Sequence, residues 1–232
     1  MATKKRLKPK DLAVVGWLLA LSFVPTIGAA VRLLRLSGDG AVPPEDARFV
    51  AAPAPVLIHV LVATAFCLLG AFQFSAGVRA RWPRWHRGAG KLLAVCGLSS
   101  AATGLWMTAG YAIPASMQGP MLFAVRMAVG IVMIASIAIA WSSILRRDVA
   151  RHEAFMIRAY ALGQGAGTQA LVLGPWTLIT GETGGLTRDA LMTLAWLINA
   201  AVAEWVIVRR GRRSAGARLD VRTSEAALQP GP

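Results

Sequence analysis

The chain has 232 residues, of which 56% are hydrophobic and only 16% charged, where a soluble domain carries roughly 25% charge. That balance excludes an ordinary soluble domain. The net charge of +14 does not mark a nucleic-acid binder either, because the lysines and arginines lie between long apolar runs rather than on one folded polar face.

A helix needs about 20 mostly apolar residues to cross the ~30 Å hydrocarbon layer, where only its own backbone offers hydrogen-bond partners. Six runs satisfy this, at 12–31, 56–75, 92–110, 122–144, 154–176 and 190–208. They predict an all-α, polytopic membrane helix bundle of six transmembrane helices over 12–208, preceded by a basic terminus (1–11) and followed by a basic, disordered tail (209–232).

The first run follows MATKKRLKPK, and its apolar core of about 20 residues exceeds the 7–15 of a signal peptide, so it reads as a retained span kinked near Pro25. The segment 36–55, with Asp39, Glu45, Asp46 and four prolines, reads as an extended loop without a catalytic pattern. The second run carries His59 near one end, Gln73 near the other and Cys67 between them. Cys67 and Cys96 stand alone in separate runs without CxxC spacing, and both read as small buried residues.

The stretch RARWPRWHRGAGK (79–91) reads as a loop entering the third run, with Pro83 stopping the preceding helix and Trp82 and Trp85 at the membrane interface. The fourth run carries Arg126 near its start. The fifth is the least apolar, interrupted by Arg158, Gln164 and Gln169, and places Gly163 and Gly167 four apart, a spacing that permits close approach of a neighbouring helix or of another membrane subunit. The sixth contains Asn199 and Glu204; Glu204 matches Arg158 in depth and predicts an ion pair, with Asn199 as a polar bridge one turn deeper.

Twenty of the 25 lysines and arginines fall in 1–10, 79–91, 146–158 and from 209 onward. The other five, Arg32, Arg35, Arg48, Arg126 and Arg188, fall at the opposite ends of the runs. The positive-inside rule then puts both termini in the cytoplasm, with the basic loops against anionic lipid headgroups.

His86 opens the third run and His152 the fifth, so both lie at one depth near the cytoplasmic face. Two imidazoles on neighbouring helices at one height are the pattern for ligating a single b-type haem iron, with Arg87 and Arg158 available for propionates and Gln164 for a quinone. The alternative is two interfacial histidines that ligate nothing. Three histidines allow at most one bis-histidine haem. His59 and Arg126 lie too far from that pair to join it and share the depth of an outer polar pocket.

No hydrolase elbow, phosphate loop, carboxylate pair or HExxH motif occurs. The residues favour a single-haem or quinone-linked electron-transfer module, against a non-enzymatic transporter or accessory subunit of a larger membrane complex.

The segments IHVLVATAFCLLGAFQFSAGVRARWPRWHRGAGKLL and RRDVARHEAFMIRAYAL resemble the bacterial membrane proteins grouped as domain of unknown function family 2306. The matching positions are His59, Gln73, Arg79 or Arg81, Pro83, His86, Arg87, Gly90, His152, Met156, Arg158 and Tyr160, and Gln169 stands where many relatives carry arginine. The resemblance implies fold and topology and assigns no reaction.

Overall fold

The computed structural model describes residues 9–38, 43, 46–182 and 184–228, with side chains as far as 213. Within these residues the chain forms only helices: α1 (Pro9–Ser37), α2 (Ala47–Ala51), α3 (Pro53–Gln73), α4 (Ala76–Arg81), α5 (Pro83–Gly110), α6 (Pro120–Leu145), α7 (Val149–Gly163), α8 (Gly165–Thr180) and α9 (Gly185–Leu228). Five of them, α1, α3, α5, α6 and the Gly185–Arg213 part of α9, are long and apolar enough to cross a membrane.

Outward-facing apolar residues are abundant: Trp17 is 78% exposed, Leu178 88% and Ile179 83%. Water would penalise such a surface, whereas hydrocarbon would not. Inside, Phe66 of α3, Leu93 and Cys96 of α5, Met133 and Ile137 of α6 and Tyr160 of α7 form the core.

In place of a sixth continuous helix the fold has a broken pair, α7 and α8, which meet at Gln164 and pack along α9. Gly163, Gly165 and Gly167 flank the break, and glycine is a poor helix former. A break at this depth is tolerated only if the freed backbone groups find partners. They do. Asn199 Nδ2 donates to the Ala161 carbonyl (2.9 Å), Trp196 Nε1 to that of Leu162 (3.3 Å), and Cys67 Sγ to that of Gly163 (3.5 Å).

Asn199 is thus committed to the break, and its Oδ1 accepts from Thr168 Oγ1 at 2.7 Å. The expectation that it bridges Arg158 and Glu204 is corrected: those two pair directly, Nε to Oε1 at 2.6 Å and Nη2 to Oε2 at 2.9 Å.

Gly163 and Gly167 do not offer a face to another subunit. They sit on opposite sides of the break, and a Cβ on Gly163 would lie 2.7 Å from Phe66 of α3, while one on Gly167 would lie 2.2 Å from the Leu21 carbonyl of α1. That carbonyl is the one Pro25, lacking an N–H, leaves without its usual donor inside α1. Pro25 and Gly167 therefore act together to bring α1 and α8 into backbone contact.

Three other local readings change. The end of the 36–55 segment is not extended: Asp46 leads into α2, whose Phe49 packs edge-on to Tyr111 at 5.2 Å; Asp39 and Glu45 lie outside the described residues. Pro83 begins α5 instead of merely ending the previous helix, since its fixed φ suits a first helical position, so His86 stands in the first turn of α5 and not in a loop. The basic segment after 209, expected to be disordered, continues α9 as far as Leu228, in keeping with its alanine, arginine, glutamate and leucine content.

Candidate functional site

A cavity of about 530 Å³ runs through the bundle between α1, α3, α5, α6, α8 and α9, within the size range of small-molecule sites. Four arginines line it: Arg32, Arg48, Arg126 and Arg188. Among the described residues, no aspartate or glutamate does. Two carboxylates lie behind the lining. Asp46 is buried and pairs with Arg32, with Arg35 3.7 Å away; Asp189 accepts from the Gly119 N–H at 2.8 Å and lies within electrostatic reach of Arg126 and Arg188. Among the described residues, four guanidinium groups against two carboxylates leave the cavity wall with surplus positive charge.

These cations are held in place. The guanidinium carbons of Arg32 and Arg48 lie over the Phe49 ring, 4.4 and 4.6 Å from its centroid. Arg126 donates to Gln118 Oε1, and Arg188 to the Met117 carbonyl. Tyr111, just beyond α5, donates to the Ala52 carbonyl at 2.7 Å and ties α2 over this end; burial pushes its phenol above the ordinary value, which keeps it a donor.

His59 lines the same cavity. Its Nδ1 lies 2.9 Å from the Ser100 carbonyl and 3.0 Å from Thr103 Oγ1. A carbonyl only accepts, so Nδ1 carries the hydrogen, and in the neutral ring Nε2 is left as an acceptor. His59 and Arg126 each stand six residues from the start of their helices, about 9 Å in by helical rise. From His59 down to Cys67 the cavity extends a further ~12 Å along α3, and its lining there combines apolar Val60, Ala63, Val129, Met133 and Leu162 with the hydroxyl-bearing Thr64, Thr26 and Ser22.

At the cavity floor stands the helix break. Gln164 lines it, but its amide is already bound: Nε2 donates to Ser22 Oγ (3.0 Å) and to the Tyr160 hydroxyl (2.7 Å), which in turn donates to the Cys67 carbonyl (2.7 Å). α8 starts here without a side-chain cap, so the positive end of its dipole borders the cavity.

At the opposite end of the bundle, His86 and His152 lie within electrostatic reach of each other. His152 Nδ1 donates to the Ala140 carbonyl (2.9 Å), the pattern that orients a metal-ligating ring through its second nitrogen. His86 lacks that arrangement: its Nδ1 is buried with no hydrogen-bond partner, as is Gln73 Nε2. The pair therefore fits an axial-ligand role on one side only. The other residues assigned to it are not gathered there. Arg87 is exposed, Arg158 is held by Glu204, and Gln164 lies ~18 Å along the chain from His152 in the central cavity. No cluster of three or more histidine, cysteine, aspartate or glutamate residues suited to a metal ion occurs among the described residues.

A family model described as predicted membrane protein (DUF2306) matches residues 56–207, well over half of the chain. The chain belongs to this family. No curated protein and no solved structure matches it. The matched stretch covers α3 to α9 and with them His59, Arg126, Gln164 and Arg188, whereas Arg32 and Arg48 lie before it.

Arg48, Phe49, Gln118 and Arg188 were not legible as site residues in the sequence. The signal was present only for the arginines, which share the Arg126 end of the bundle; nothing in the sequence brings α2 against Tyr111.

Proposed function

We propose that this protein is a non-enzymatic membrane carrier that binds an organic anion with an apolar portion in the central cavity. The single observation that carries the reading is a 530 Å³ cavity lined, among the described residues, by four arginines and no carboxylate. Guanidinium groups that outnumber their carboxylates at membrane depth are costly, and an anionic head offsets that cost while an apolar chain fills the lower wall. The broken α7–α8 pair supports it, since discontinuous helices beside a midplane site are what carriers use to meet ligands with helix ends. In this reading α7 and α8 together make the sixth crossing, both termini are cytoplasmic, the arginine end faces outward, and the membrane is the bacterial inner one.

Proteoliposomes loaded with octanesulfonate test it, because a permanently charged sulfonate does not cross lipid unaided. Protein-dependent efflux that falls at least tenfold in Arg126→Met is expected; efflux no faster than from empty liposomes would contradict the reading.

A second reading rests on the proximity of His86 and His152 and on the tethered Nδ1 of His152. It places one b-type haem between them, with electron exchange to a quinone. A Soret band in protein purified from haem-replete cells, lost in His152→Ala, supports it; a colourless preparation counts against it.

A further inference from the structure

The carrier reading leaves open which anions the cavity selects, and His59 bears on that choice. We propose that the cavity takes an anion that also carries a hydrogen-bond donor, a hydroxy acid with an apolar chain, and that His59 Nε2 accepts from its hydroxyl. This inference rests on the proposed function above and deepens it.

The argument starts from the ring's fixed tautomer. Nδ1 is spent on the Ser100 carbonyl and Thr103 Oγ1, and Thr103 Oγ1 is itself a donor to the Ser99 and Ser100 carbonyls at 2.7 and 3.1 Å, so the ring cannot turn over without breaking this arrangement. Close packing supports the same orientation: a Cβ on Gly104 would meet the ring at 3.4 Å. Nε2 makes no hydrogen bond to any described residue, while His59 borders the cavity. Hydroxyls also line the cavity, but those of Ser22, Thr26, Thr108 and Tyr111 already donate to backbone carbonyls, so an acceptor left without a protein donor is a discriminating element. A bare carboxylate satisfies the arginines and leaves Nε2 without a donor; a carboxylate with a nearby hydroxyl satisfies both. Arg126 stands at the depth of His59, and both line the cavity. A site built to accept from a ligand hydroxyl penalises the analogue lacking it, because its own polar group is then left unpaired.

Equilibrium dialysis on phosphatidylcholine nanodiscs, with empty nanodiscs subtracted, tests this with octanoate, 2-hydroxyoctanoate and 3-hydroxyoctanoate as probes. The wild-type protein is expected to bind one hydroxy acid about three- to tenfold more tightly than octanoate. In His59→Leu the ratio should fall to about one, and in His59→Gln, which keeps an acceptor, most of the preference should return. A wild-type ratio of one with octanoate still bound overturns this inference and leaves the carrier reading standing. A preference that persists in His59→Leu also overturns it. Failure of the wild-type protein to bind any of the three overturns the carrier reading and this inference with it.

Discussion

Asn199 of α9 reaches across to the break between α7 and α8 and donates to the Ala161 carbonyl at 2.9 Å, while accepting from Thr168 Oγ1 at 2.7 Å. One side chain on a continuous helix thus holds a group on either side of a discontinuous one.

Asn199→Leu removes both bonds and leaves two polar groups of the break unpaired at membrane depth. A loss of about 1–3 kcal/mol is expected, read as a lower midpoint of unfolding in detergent. An unchanged midpoint would mean that the break is supported by Trp196 and Cys67 alone.

Gly167→Ala should cost more than a comparable change elsewhere in α8. Its Cβ would stand 2.2 Å from a backbone oxygen of α1, which no rotamer change relieves, whereas a Cβ on Gly174 meets nothing within 4 Å. Overpacking of this kind costs ~1–3 kcal/mol or more, so Gly167→Ala should lower the thermal midpoint clearly and Gly174→Ala should leave it near that of the wild type. Equal midpoints would contradict the close α1–α8 approach.

The Arg158–Glu204 pair is bidentate, with side chains 30% and 52% exposed. Where water reaches such a pair it contributes about 0–1 kcal/mol. A double-mutant cycle with Arg158→Gln and Glu204→Gln is expected to give a coupling in that range that shrinks with added salt. A coupling above ~2 kcal/mol, insensitive to salt, would place the pair in hydrocarbon.

The helices were legible because a run of about 20 apolar residues has few other ways to satisfy its backbone. The break at Gln164 was not, because a hydropathy run averages over the three glycines around it, and its support comes from Cys67, Trp196 and Asn199, distant in sequence. Counting residues from helix ends put His59 with Arg126 and His86 near His152, since depth follows from helical rise. Counting says nothing about which way a side chain turns. For that reason Gln164, grouped with the histidines by sequence, is found bound to Ser22 and Tyr160 instead, whereas the Arg158–Glu204 pair follows from matching depth and is present. The contribution of Arg48 was hidden for a different reason: it depends on the short helix α2, whose position is set by contacts of Phe49 and Tyr111 across the bundle.

The account turns on surplus positive charge inside the bundle, and octanoate binding to wild-type and Arg126→Met protein in phosphatidylcholine nanodiscs measures it most directly. Saturable binding to the wild type, weakened at least tenfold in the variant, is the predicted result, since removing one charged partner of a buried ion contact costs ~2–5 kcal/mol. Equal binding by the two proteins, or no saturable binding by either, would contradict it.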